Sequence, residues 1–321
     1  MTDWEEESSA MDSRKRPTDE NASPSTRTVR SGVLLATLIC ISVVTAPTAD
    51  AQSTPEPGQQ VALVTGSTSG VGRELALRLG AMGTHVIVHG RNRRRGMEVV
   101  AAIESEGGSA RFYAADLASL EQVRRFGEAI LSDYGKLDLL INNAGIAFGT
   151  ERSVSEDGHE LHFQVNYLSH FLLTRMLLPR LRESAPSRIV NVSSGAQQAI
   201  DFDDVMLENN FTGGRAYAQS KLAQILHTFD LAEELDGTDV IVNALHPATL
   251  MDTPMVLSAG VTPRATIDEG ANAVMQLATS PDIGSGGYFT GLRPARANAQ
   301  AYDEEARAKL KRLSEELIGK R

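Results

Sequence analysis

Tyr217 and Lys221 stand four residues apart in the stretch YAQSK. On a helix that spacing puts a phenol and an ammonium group on one face. A free tyrosine ionises near pH ~10, too high for easy proton exchange at neutrality, and a lysine charge beside it would lower that value. Alone, such a pair is ordinarily two surface neighbours. A second stretch, VTGSTSGVG, closes a β-branched run and opens an amphipathic one. Its Gly66, Gly70 and Gly72 let the backbone approach a pyrophosphate, and the helix that follows offers unpaired N–H groups and a positive dipole end. The spacing is G-x-x-x-G-x-G rather than the commoner G-x-G-x-x-G. After the next β-branched run comes Gly90-Arg91, where an NAD site would carry Asp or Glu for the ribose 2′-hydroxyl. A guanidinium suits a 2′-phosphate, so these residues point to NADP(H), with NAD(H) as the lesser option. Arg93, Arg94 and Arg95 add positive potential, although two of them read simply as the solvated start of a helix.

Seven short runs could carry these groups as strands: Val61–Thr65, His85–His89, Ala110–Ala114, Leu137–Ile141, Arg188–Ser193, Val240–Leu245 and Gly287–Thr290. Helical periods lie between them, as at Val71–Leu79 and Leu117–Leu131. Alternation of this kind implies parallel strands joined by right-handed crossovers. The expected fold is one α/β domain, a Rossmann-type doubly wound parallel sheet of about seven strands. Its ligands would sit outside the carboxyl ends of the strands.

Composition narrows the function. The chain has 321 residues, 41% of them hydrophobic, which suffices for a full core. A formal net charge of −10 argues against a nucleic-acid surface. Cys40 is the only cysteine, which excludes a disulfide framework, a cysteine-based metal site or a cysteine nucleophile in the main domain. No metal site is expected. HELH at 159–162 lacks zinc-helix spacing, and DFDD at 201–204 offers too few ligands for calcium.

The amino-terminal region reads differently. Residues 1–32 are polar and expected to be disordered. Residues 33–51 combine Arg27 and Arg30 upstream, an apolar run Val33–Ala46, and Ala49-Asp50-Ala51. Those features form a signal peptide cleaved after Ala51, with a short membrane anchor through 33–46 as the other reading. The protein would then be exported or membrane-tethered, or cytoplasmic if the true start lies further downstream. Residues 52–59 read as a Pro/Gly linker, and 60–321 as the folded domain.

Seven motifs now stand in order: TGSTSGVG at 65–72, ADL at 115–117, NNAG at 142–145, Asn166 in FQVNYLSHFLLT, IVNVSS at 189–194, YAQSK at 217–221 and NALHPAT at 243–249. Together they make the chain resemble the short-chain dehydrogenase/reductase superfamily over residues 60–318. GRN after the second strand, SKLAQILHT after Tyr217 and the C-terminal AYDEEARAKLKRLSEELIG resemble its retinol-dehydrogenase-like branch.

The resemblance implies an NADP(H)-dependent oxidoreductase that interconverts an alcohol with a ketone or aldehyde, on a hydrophobic substrate of small to medium size. It implies Tyr217 as acid/base, Lys221 as its electrostatic partner and ribose ligand, and Ser194 as the hydrogen-bond donor to the substrate oxygen. Asn166 is the fourth member, holding a water beside the lysine. Cofactor contacts carried over in the same way are Gly66, Ser67, Thr68, Ser69, Gly70, Val71 and Gly72, then Arg91, Asp116 and Leu117. Asn143, Ala144, Gly145, Pro247 and Thr249 complete them, with Thr253 as a weaker candidate. Ala248 stands where commoner members carry glycine. The apolar residues of 249–266 resemble a lid over the substrate. Homo-dimers or homo-tetramers through Asp157–Leu181 and Ala216–Leu235 are expected by the same analogy. The alternatives are a non-catalytic NADP(H)-binding sensor or scaffold, which would ordinarily lack the tyrosine or lysine, and a nucleotide-sugar epimerase or dehydratase, which would carry a different glycine loop.

Overall fold

The computed structural model describes residues 53–319. The expected disordered extension and the signal or anchor segment lie outside the described residues. The seven anticipated strands are present as β1 (Val61–Val64), β2 (His85–Gly90), β3 (Ser109–Ala114), β4 (Leu139–Asn142), β5 (Ser187–Val192), β6 (Val240–His246) and β7 (Tyr288–Thr290). An eighth, β8 (Arg293–Pro294), pairs antiparallel with β7. Two residues carry no periodicity, so β8 leaves no mark in the sequence. The order across the sheet is β3-β2-β1-β4-β5-β6-β7-β8, and every pair but the last is parallel. The chain order reverses between β1 and β4, which opens a crevice at their carboxyl ends.

Both faces of the sheet are covered, and the strands read accordingly: every residue of VALV in β1 is buried. On one face lie α1 (Gly70–Ala81), α2 (Arg93–Ser105) and α7 (Ile267–Thr279). On the other lie α3 (Leu120–Asp133), α4 (Ser169–Glu183), α5 (Gly213–Glu234) and α8 (Glu304–Gly319). A short α6 (Pro254–Ser258) stands between β6 and α7. Side-chain caps fix several helix starts: Thr212 accepts from Arg215 N on α5, and Thr266 with Glu269 forms a capping box on α7. Helix α3 starts at Leu120, later than the expected Leu117, because Asp116 Oδ1 accepts from Ala118 N and turns the chain first.

Two segments behave differently from expectation. The linker residues 53–59 lie against the sheet edge: Ser53 Oγ donates to Ala110 O (2.9 Å) and accepts from Ala110 N (2.8 Å). Gln59 Nε2 donates to Gly83 O (2.9 Å) and Ser109 Oγ (3.0 Å). The second segment is 216–235, one of the two stretches expected to form a homo-oligomer face, where part of the helix is covered from within the chain. Helix α8 packs along α5, burying Leu310 and Ser314. Ser314 Oγ meets Tyr167 Oη at 2.7 Å, and Lys311 Nζ reaches Asp230 (3.1 Å) and Glu234 (3.4 Å). Fourteen of the 22 residues of α5 are buried, between the sheet on one side and α8 on another.

Candidate active site

A cavity of about 890 Å³ opens at the carboxyl ends of the strands. Its walls come from the turns after β1, β2, β4, β5 and β6, together with one face of α5 and the start of α6.

The first half of the cavity is built on the glycine stretch. Gly66 has φ +66°, and a Cβ there would stand 2.9 Å from Ala144 Cα, so only glycine lets the turns after β1 and β4 meet. Gly72 is as tight, since a Cβ would lie 2.4 Å from Asn143 Nδ2 and Gly66 O. Ser69 at the N-cap of α1 makes no side-chain cap, and the first turn carries no acidic residue. The N–H groups at this end therefore face the cavity beside Gly70, Val71 and Gly72. Thr68 lines the cavity, but Ser67 does not. Its N–H donates to His89 O (2.9 Å), its Oγ donates to Val64 O (2.8 Å), and that Oγ also accepts from His89 N (2.9 Å). Ser67, expected among the cofactor contacts, thus turns its side chain inward, away from the cavity.

At the end of β2, a Cβ on Gly90 would lie 2.6 Å from Thr68 Cγ2, so any side chain there requires Thr68 to move. Arg91 is exposed and forms a 3.6 Å ion pair with Asp116. Buried Leu117 and the Asp116 turn close this end. Asn143 lines the cavity, yet its amide is engaged by Thr65 O (2.8 Å), so only its edge and backbone face the ligand space. Thr65 Oγ1 accepts from Asn143 N (2.9 Å) and Ala144 N (3.0 Å), and its own proton lies within reach of both His170 Nε2 (2.9 Å) and Ile141 O (3.3 Å). Because the Asn166 carbonyl can only accept, the ring proton sits on His170 Nδ1 and donates to Asn166 O (3.0 Å), and Nε2 accepts from Thr65. Burial holds His170 neutral, its pKa down to about 3. Sequence reasoning missed both Thr65 and His170, which tie the glycine stretch to Asn166.

Asn166 lies in a π-helical turn, Phe163–Leu168, that leads into α4. Upstream, Glu160 accepts from His162 N (3.0 Å), Phe163 N (2.7 Å) and His162 Nδ1 (2.8 Å), which makes the HELH stretch a helix cap. The side chain of Asn166 is fully engaged. Oδ1 accepts from Ile146 N (2.8 Å), and Nδ2 donates to Ile146 O (3.1 Å) and Ser220 Oγ (2.9 Å). It does not line the cavity, so any effect on a ligand passes through the backbone. Gly145 sits between Asn166 and Lys221: a Cβ there would be 3.2 Å from Asn166 Oδ1 and 3.5 Å from Lys221 Nζ.

Ser194, Tyr217 and Lys221 all face the cavity. Ser193 does too, but its Oγ donates to Lys221 O (2.7 Å) and anchors β5 to α5. Ser194 Oγ accepts from Ala196 N (3.1 Å). Lys221 Nζ donates to Val192 O (2.9 Å) and Gln224 Oε1 (3.0 Å), which spends two of its three donors. The sequence led us to expect a lysine that lowers the tyrosine pKa. Instead burial raises Tyr217, and the lowering influence on it is the Ser194 hydroxyl. Burial also brings Lys221 down to about 7, so near neutrality its charge is only partial.

The far half of the cavity is apolar. Phe148, Leu161, Val165, Met255 and Val256 form its walls, and the one ionisable side chain there besides Tyr217 is His246. His246 Nε2 meets Thr249 Oγ1 at 3.0 Å, beside Pro247 and Ala248. Ala248 needs no left-handed backbone. Leu250 (φ +51°) and Phe148 (φ +64°), both lining the cavity, adopt it instead. Thr253 lies against Gly70.

A family profile described as "short chain dehydrogenase" matches residues 60–262. The chain is similar to retinol dehydrogenase 14 of Mus musculus, 38% identical over 285 residues, which cover 80% of this chain and 85% of the mouse protein. It is 36% identical to polyprenol dehydrogenase of Danio rerio, covering 83% and 88% of the two chains. Among solved structures, an uncharacterized protein of Mycobacterium paratuberculosis aligns with a TM-score of 0.69 at 31% identity, covering 81% and 94%. A short chain dehydrogenase from Burkholderia cenocepacia in complex with NADP aligns with a TM-score of 0.59 at 27% identity, covering 74% and 97%.

Proposed function

The chain belongs to the short chain dehydrogenase family as a retinol-dehydrogenase-like oxidoreductase, and on that premise we propose that it uses NADP(H) to interconvert an alcohol with a ketone or aldehyde on a hydrophobic substrate of small to medium size. The observation that carries this reading is one continuous cavity running from the uncapped start of α1, past Ser194, Tyr217 and Lys221, to an apolar wall without Asp, Glu, Lys or Arg.

The residues fit the cofactor. The amides of α1 at Gly70, Val71 and Gly72, with Gly66, Thr68 and Ser69, would hold the pyrophosphate. Arg91 would take the 2′-phosphate, and Gly90 carries no competing carboxylate. Asp116 and Leu117 would face the adenine, Asn143 to Gly145 the adenosine ribose, and Pro247 and Thr249 the nicotinamide. When bound, the cofactor supplies or accepts the hydride.

Each protein group then has one task in carbonyl reduction. Ser194 Oγ already accepts from Ala196 N, so its own proton is directed outward to the substrate oxygen. Tyr217 gives its proton to that oxygen. The remaining donor of Lys221 would bond the nicotinamide ribose, and its charge would favour the tyrosinate left behind. Asn166 acts by holding the Ile146 backbone. In alcohol oxidation the same proton returns to Tyr217. One chain supplies every residue of the site.

A paired titration of the protein with NADPH and NADH, followed by a panel of apolar aldehydes and ketones, tests the reading. Tighter NADPH binding, turnover of a panel member, and loss of turnover in Tyr217→Phe with binding retained are the expected results. Failure to bind either nucleotide, or full turnover in Tyr217→Phe, would overturn it. For location we propose delivery to a membrane by residues 33–51. A mature amino terminus at Gln52 would mark cleavage, and an intact membrane-bound chain would mark a tether. An intact chain in the soluble fraction contradicts both.

A further inference from the structure

Ser194 is held at two points. Its Oγ accepts from Ala196 N, within its own turn. Its carbonyl accepts from Tyr288 Oη (3.0 Å), the first residue of β7 and 94 residues further along the chain. The same carbonyl accepts from Gln197 Nε2 (3.0 Å). Gln197 is itself held, because its Oε1 accepts from Asn298 N (2.7 Å). Three residues on, Ile200 N donates to Gln300 Oε1 (2.7 Å) and Gln300 Nε2 donates to Ile200 O (3.1 Å), a two-point grip. The stretch after β7 thus runs back over 194–200 and fixes it by hydrogen bonds.

We propose that Tyr288 is a positioning residue for Ser194, aiming the serine hydroxyl at the substrate oxygen and Tyr217 by fixing the Ser194–Gly195 peptide through its carbonyl. The proposal rests on the catalytic reading of Ser194 given above. A carbonyl bound by two donors holds the Ser194 backbone in place, and with it the direction of the Cα–Cβ bond from which Oγ projects, while the bond from Ala196 N holds Oγ itself. The opposite side of the turn is closed as well: a Cβ on Gly195 would meet the His246 ring at 3.2 Å. Tyr288 is well suited to a donor role, since it is 5% exposed and burial keeps its phenol protonated. Its ring packs in the core, so the hydroxyl can be removed with the packing left in place. A displacement of about 1 Å in a catalytic group can cost roughly a hundredfold in rate.

The test is a double-mutant cycle on carbonyl reduction at saturating NADPH, using Tyr288→Phe, Ser194→Ala and the pair. Tyr288→Phe is expected to lower kcat about tenfold or more, with the NADPH dissociation constant within about twofold of wild type. In the Ser194→Ala background the same change should cost little further, because there is no hydroxyl left to aim. Gln197→Leu, which removes the second donor to the same carbonyl, should repeat the pattern at smaller size. A Tyr288→Phe enzyme with wild-type kcat, or losses that simply multiply in the pair, would overturn the proposal. If Tyr288→Phe failed to fold, Gln197→Leu would decide by the same criterion. Full activity in Ser194→Ala would instead overturn the catalytic reading, and the role of Tyr288 with it.

Discussion

Lys221 Nζ lies 5.8 Å from the centre of the Tyr217 ring, one helical turn along α5, and its hydrogen bonds go to Val192 O and Gln224 Oε1. The two groups are neighbours that influence each other by charge. Burial brings Lys221 down to about 7. Its charge is therefore complete below that pH and is lost as the pH rises through it. kcat/KM for carbonyl reduction, which reports the free enzyme, should fall above about pH 7 with a slope approaching tenfold per unit. A rate flat from pH 6 to 9 would show that the lysine charge does not support the step.

Arg91 and Gly90 should set the choice of nucleotide. Arg91→Ala is expected to weaken NADPH binding about tenfold or more and to leave NADH binding nearly unchanged. Gly90→Asp should not create an NAD enzyme, because its Cβ would lie 2.6 Å from Thr68 Cγ2 and the turn would have to shift. Fluorescence titration of both nucleotides against both variants checks this. Equal losses for NADPH and NADH in Arg91→Ala would remove the 2′-phosphate from the account.

Acid should unfold the protein earlier than its carboxylates alone would dictate. Burial lowers His85 and His89 to about 4, and His170 and His227 to about 3. Each is neutral when folded and would be protonated when unfolded below about 6.5. The stability these groups contribute is complete above about 6.5 and is lost as the pH falls toward their folded values. Melting temperatures should thus drop between pH 7 and 5, with His170→Gln reducing the slope. A melting temperature constant over that range would contradict the prediction.

Helix α8 should keep the chain single. It occupies the outer side of α5, and Lys311 spans Asp230 and Glu234 there. Sedimentation or light scattering is expected to give the mass of one chain. A stable dimer cross-linked between copies through α4 or α5 would show that α8 leaves enough of that face free.

Much of the fold was legible because strands covered on both faces read as unbroken β-branched runs, VALV and HVIVHG among them. The grouping of Ser194, Tyr217 and Lys221 at one cavity was legible because the family spacing survives in one short span of sequence. Other parts depend on geometry that no local pattern carries. Ser67 sits within a stretch that reads as uniformly ligand-facing, yet the left-handed turn at Gly66 sends it inward. Asn166 reads as a site residue, but the π-helical turn points its amide at Ile146. The contacts of Tyr288 with Ser194 and of Gln300 with Ile200 span 94 and 100 residues, and neither partner announces the other.

Those long spans bear on the order in which the molecule is made. A ribosome releases Ser194, Tyr217 and Lys221 well before it reaches Tyr288, Asn298 and Gln300. During that interval the turn after β5 lacks the donors that fix it. A chain ending after β6 would lack those donors together with α7 and α8, which complete the cores on the two faces of the sheet. On the role proposed for Tyr288, the serine is aimed only once the last stretch of the chain has been made.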